Sequence, residues 1–118
     1  MKNRKMFDKY MGCIHGLAIG DALGYPVEFL TLDQIRANYG KNGITEYGYN
    51  EISLLDGKYS DDTQMSLALA EGLLASKTDD VEDVMNNVSK KFLKWRDSPD
   101  NNRAPGTTCM QGLYNLTY

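Results

Sequence analysis

The sequence predicts an all-α fold, and three observations carry that prediction. No segment alternates apolar and polar residues for long enough to make a strand. Val81, Val84, Met85, Val88, Phe92 and Trp95 recur at helical spacing, the cleanest 3.6-residue pattern in the chain. Ser, Thr or Asp also stands before several apolar runs, where a helix N-terminus needs a side-chain acceptor. At 118 residues the chain buries only ~65% of its extended surface, enough for one domain or a piece of one but not for two independent cores.

The elements follow in order. Met6, Tyr10, Ile14 and Leu17 form one stripe of a first helix, and Gly12, Gly16, Gly20 and Gly24 recur on a neighbouring stripe. Four helical glycines, each ~0.5–1 kcal/mol worse than alanine, need a reason. Either another helix approaches closely, or Gly20–Gly24 ends the helix in a turn beside a ligand; the two can coexist. Pro26 stops that helix. Thr31-Leu32-Asp33-Gln34 is a capping box for a short second helix that Gly40 closes. Residues 41 to 59, with Gly43, Gly48 and Gly57 among Tyr47, Tyr49 and Tyr59, show no period and predict a long irregular loop. A third helix follows Ser60-Asp61-Asp62-Thr63, with Met65, Leu69 and Leu73 four apart. Thr78-Asp79-Asp80 caps a fourth, whose apolar stripe reads as core. Ser98 to Asn102 breaks it, and Thr107 is the candidate N-cap of a last helix carrying Met110, Leu113 and Tyr114.

Composition narrows the function classes. Hydrophobic residues at 42% and charged residues at 25% are ordinary for a globular chain. The net charge of −3 argues against nucleic acid or an anionic membrane held by general electrostatics. The apolar run from Met11 to Gly24 carries His15 and Asp21 and falls short of the ~20 residues of a membrane span. Cys13 and Cys109 are too few for a disulfide framework. The expectation is a cytoplasmic protein with reduced thiols and no secretion signal. Leu113 to Tyr118 is apolar and aromatic with no charge, which reads as a cut edge or as an interface with a second copy or a complementing chain.

Dinucleotide and P-loop fingerprints are absent, and His15 is the only histidine, two residues from Cys13 and therefore facing away from it on a helix. The carboxylates say more. Asp61 and Asp62 stand where a loop becomes a helix, and acids there ordinarily cap the backbone and complement the macrodipole. The alternative is a hard-cation site, since a hydroxyl from Ser60 and two neighbouring carboxylates suit Mg²⁺, Mn²⁺ or Ca²⁺. Each Mg²⁺ wants six oxygens, so these residues, even with Glu28, cannot satisfy a pair of ions without water, substrate and further acids.

Gly16-Leu17-Ala18-Ile19-Gly20-Asp21-Ala22-Leu23-Gly24-Tyr25-Pro26-Val27-Glu28-Phe29, then Tyr59-Ser60-Asp61-Asp62-Thr63-Gln64-Met65, then Pro105-Gly106-Thr107-Thr108 after a Trp-bearing helix, resemble the ADP-ribosylglycohydrolase family in order and separation. The resemblance spans about residues 6 to 116. It implies an all-α, orthogonal multi-helix bundle, with residues 1–118 as a single, incomplete N-terminal portion of that domain. It also implies an enzyme that removes ADP-ribose from a modified arginine or serine side chain, or from a related acceptor. The partner is then an ADP-ribosylated protein or a small ADP-ribose conjugate. Two ions, Mg²⁺ or Mn²⁺, are implied in the complete site. By matching position, Ser60, Asp61 and Asp62 become the metal residues, Glu28 and Asp62 the catalytic ones, and Asp21, Gly106, Thr107 and Thr108 the substrate-binding ones.

One departure accompanies the resemblance. Relatives add a second acidic cluster, Asp-x-Asp-Thr/Ser, far downstream, whereas no Asp or Glu follows Asp100 here. The chain is therefore expected to hold the first half of the site. Two other readings stay open beside a hydrolase that is active only when completed. One is an ADP-ribose- or metal-binding module without turnover; the other is a structural family member that keeps the scaffold.

Overall fold

The computed structural model describes residues 2–47 and 58–116. The chain divides into two compact units, Met1–Tyr59 and Ser60–Tyr118. Every described element is helical, and no strand occurs among the described residues. The all-α expectation holds. The part of the predicted long loop from 48 to 57 lies outside the described residues, as do Thr117 and Tyr118 of the apolar terminus.

In the first unit, helix α1 (Lys2–Gly24) begins four residues before the periodic stripe does. It stops where Pro26, which lacks an N–H, turns the backbone into a single 3₁₀ turn, Tyr25–Val27. Met6, Tyr10, Ile14 and Leu17 remain exposed. A Cβ at Gly12, Gly16, Gly20 or Gly24 would meet nothing within 4 Å among the described residues. Helix α2 (Leu32–Tyr39) has the predicted capping box: the Gln34 N–H donates to Thr31 Oγ1 at 3.3 Å and the Thr31 N–H to Gln34 Oε1 at 2.8 Å. Gly40 ends it with φ of 81°, a left-handed angle that glycine takes at no steric cost.

The second unit holds helices α3 (Asp61–Ala75), α4 (Val81–Arg96) and α5 (Thr107–Asn115). α3 and α4 pack along each other, and α4 packs on α5. Gly72 decides how closely the first pair approaches. A Cβ there would stand 2.6 Å from Val88 Cα and 2.9 Å from Val88 Cγ2. The buried face of α3 is therefore the small-residue side, Thr63, Ala68 and Gly72, while Leu69 and Leu73 of the predicted stripe stay 42% and 51% exposed.

Ala68, Trp95 and Leu113 form the core, with Met65, Phe92 and Met110 packed against them. Trp95 is the largest of these, and truncation of a buried Trp to Ala costs about 3–5 kcal/mol. Its indole N–H donates to Gln64 Oε1 at 3.1 Å, and Gln64 Nε2 donates on to the Asp100 carbonyl at 2.9 Å. Arg96 fastens the far end: it pairs bidentately with Asp97, donates from Nη1 to the Leu113 carbonyl at 3.1 Å, and lies over the Tyr114 ring. A cation on one of the last carbonyls of α5 complements that helix's negative end.

Candidate functional site

The second unit brings two of the sequence-predicted regions together. Ser60 is the N-cap of α3, its Oγ accepting the Asp62 N–H at 3.2 Å. This is the local capping that any such sequence performs. Asp61 does something different. Its side chain is buried, at 9% exposure, and its Oδ2 accepts the N–H of Gly106 at 3.2 Å, 45 residues along the chain. Its own N–H donates to the Arg103 carbonyl at 2.9 Å. The carboxylate thus points into the unit, onto the segment that leads into α5. Asp62, beside it, is exposed.

Between the two anchor points lies Ala104, with φ of 58°. For an L-residue with a Cβ this left-handed conformation costs about 1–2 kcal/mol, and it persists where surrounding contacts over-determine it. Gly106 is the N-cap of α5, with φ of −63° and no side-chain cap of its own; Thr107, predicted as the cap, is the first helical residue instead. The Gly106 carbonyl accepts the Met110 N–H at 3.0 Å and closes the first turn. Thr107 and Thr108 are exposed on that turn.

The two remaining predicted residues belong to the first unit. Asp21 is half-buried on the last turn of α1. Glu28 is exposed at the end of the 3₁₀ turn, its N–H donating to the Tyr25 carbonyl at 3.4 Å.

For a hard divalent cation the donors fit in kind: the Ser60 hydroxyl and the Asp61 and Asp62 carboxylates are all oxygens. In number they are a partial set. Among the described residues, no group of three or more His, Cys, Asp or Glu side chains gathers to hold an ion. The Arg103–Gly106 grip on Asp61 is not legible in the sequence, since nothing in the local spelling ties positions 61 and 106. Also unforeseen is a groove of ≈ 280 Å³ along α3 and α4, whose lining includes Gln64, Glu71, Lys91, Lys94 and Trp95. The Lys91 ammonium beside Glu71, at 3.0 Å, holds that carboxyl below its usual value. No helix among the described residues is long and apolar enough to cross a membrane.

Comparison with known proteins agrees with the motif order. The family model for ADP-ribosylglycohydrolase matches residues 2–118. The chain is 38% identical over 114 residues to the ADP-ribosyl-dinitrogen reductase glycohydrolase of Rhodospirillum rubrum, covering 96% of this chain and 36% of that one. It is 34% identical over 112 residues to an uncharacterised protein of Archaeoglobus fulgidus, covering 94% and 34%. It is 34% identical over 88 residues to the ADP-ribosylarginine hydrolase Tri1 of Serratia proteamaculans, covering 75% and 21%. No solved structure matches the chain significantly. The chain spans about a third or less of the length of these relatives. It belongs to the ADP-ribosylglycohydrolase family.

Proposed function

From that membership, we propose that this chain supplies part of a divalent-cation-dependent site that hydrolyses the bond between ADP-ribose and a modified side chain or a small conjugate. The two compact units are read as parts of one such domain, acting in the cytoplasm. What supports the reading most is the buried Asp61 carboxylate held against Gly106, because it joins the expected cation residues to the expected substrate loop. The two functions that must meet in such a site then share one hydrogen bond.

Ser60, Asp61 and Asp62 are the residues that would hold Mg²⁺ or Mn²⁺, two ions being the complement of the complete site. Such ions, when bound, orient ribose hydroxyls and favour a deprotonated water. The chain's own residues do the rest. Cleavage at the anomeric carbon passes through an oxocarbenium-like state: the bond to the acceptor nitrogen or oxygen breaks, water oxygen bonds to that carbon, and the leaving atom takes a proton. Glu28 and Asp62 are the carboxylates assigned to that proton movement. Asp21, Thr107, Thr108 and the Gly106 turn are assigned to holding the ADP-ribose; a helix N-terminus such as that of α5 suits a negatively charged diphosphate. The acceptor is an ADP-ribosylated protein or small molecule.

Calorimetric titration with ADP-ribose, with and without Mg²⁺, together with an assay of ADP-ribose release from an ADP-ribosylated arginine peptide, tests the proposal. Binding with turnover supports it, and Asp61→Ala and Asp62→Ala should each abolish the cation-dependent signal. Silence in both assays overturns it. Cation-enhanced binding without turnover supports the second reading, a binding module.

A further inference from the structure

The structure assigns Asp61 a second role, that of a positioning residue. It pins the strained Arg103–Gly106 segment, so that cation affinity and the placement of the α5 N-terminus are coupled through one carboxylate. The coupling rests on the cation-site reading above; the pinning does not.

The geometry carries the inference. Asp61 grips the segment on both sides of Ala104. Its N–H holds the Arg103 carbonyl at 2.9 Å, and its Oδ2 receives the Gly106 N–H at 3.2 Å. Ala104, between these anchors, has the φ of 58° that an alanine does not adopt unaided. Gly106 has no side-chain cap for α5, so its N–H bond to Asp61 is what ties the helix start to α3. A carboxylate that spends one oxygen on a fixed N–H presents the other in a fixed direction. Such supporting hydrogen bonds ordinarily set ligand orientation, and their removal lowers metal affinity about 10–100-fold. Were Asp61 to hold the cation, ion binding and loop order at Oδ2 would then favour each other. Asp62, exposed and one position on, serves as the contrast.

Gly106 offers a specific way to cut the link. Its φ of −63° already fits a proline ring, so Gly106→Pro deletes the N–H donor and keeps the carbonyl that closes the first turn of α5. Gly106→Ala keeps the N–H, and its Cβ would meet only Cys109 Sγ at 3.8 Å, an ordinary contact. Two readouts are taken on the full chain, with circular dichroism confirming helix content. The first is amide hydrogen exchange of residues 103–109 without metal. The second is Mn²⁺ affinity from the free-ion electron paramagnetic resonance signal.

Asp61→Ala should speed exchange at Gly106 at least tenfold, and Asp62→Ala should not. Asp61→Asn, which keeps an acceptor oxygen, should retain most of the protection yet lose Mn²⁺ affinity. Gly106→Pro should weaken Mn²⁺ binding about 10-fold or more, with Gly106→Ala close to the parent. Unchanged exchange in Asp61→Ala overturns the pinning. Equal Mn²⁺ affinity in the proline and alanine variants overturns the coupling. If the parent chain takes up no Mn²⁺, the coupling falls together with the cation-site reading, and the metal-free exchange still decides whether Asp61 pins the loop.

Discussion

The starts of α3 and α4 look alike on paper and are used differently in the molecule. Each follows a polar cap and opens on acids, Asp61-Asp62 in one and Glu82-Asp83 in the other. At α4 the acids bond locally. Asp80 Oδ2 accepts the N–H groups of Glu82 and Asp83, while Asp83 Oδ2 accepts those of Lys77 and Thr78 and the Thr78 hydroxyl. At α3 the cap is the Ser60 hydroxyl, and Asp61 is left to reach a segment 45 residues away. Acidity at a helix start therefore does not separate a local cap from a long-range tie. The destination of the carboxylate does, and a neighbouring hydroxyl that takes over the capping is what sets the carboxylate loose.

The largest test of this contrast is functional. Asp61→Ala should take cation-dependent ADP-ribose binding or release below detection, whereas Asp80→Ala should leave it unchanged; equal losses would erase the distinction between the two helix starts. Next in size is a test of the platform that presents both. Gly72→Ala pushes a Cβ into the α4 backbone at Val88 and should cost about 1–3 kcal/mol of stability in urea denaturation. Tolerance there would mean that the helix pair is not closely seated.

A smaller effect compares the caps themselves. Asp80→Ala and Ser60→Ala should each cost about 1 kcal/mol in thermal or urea unfolding, but Ser60→Ala alone should also lower Mn²⁺ affinity. The smallest effect concerns pH. The Thr78 and Lys77 backbone N–H groups, in that order, hold the Asp83 carboxyl below its ordinary value of 3.8. A carboxyl lowered on folding contributes stability that is fully present above the unfolded value and is lost as pH falls through the folded one. Asp83→Ala should accordingly flatten the acid limb of the melting-temperature profile below about pH 4. A limb as steep as the parent's would remove Asp83 from the account.

Much of the fold was legible because its signals are short-range. The Thr31/Gln34 box, the Asp80 cap, the Gly40 stop and the Pro26 break each act within four residues of where they are written, and each is found as expected. Faces were harder to assign than helices. Met65, Leu69 and Leu73 are correctly helical, but the packed side of α3 runs through Ala68 and Gly72, because small residues let α4 approach and large ones do not. In the first unit the apolar stripe of α1 is present and exposed, so periodicity there marked a helix without marking a core. The last helix begins one residue earlier in its capping than Thr107 suggested. There the Gly106 N–H is engaged by Asp61, and no side-chain cap forms.

Residue order alone determined where the helices run, how most of them begin and end, and which family the chain joins, since each of these depends on neighbours a few positions apart or on the linear order of motifs. Tertiary structure decided which member of the acidic pair turns inward, why Ala104 tolerates a left-handed backbone, and how closely α3 and α4 approach. Those outcomes join positions 45 and 16 residues apart, Asp61 with Gly106 and Gly72 with Val88. Contacts at such separations follow from how whole helices stack and turn, and no local propensity encodes them.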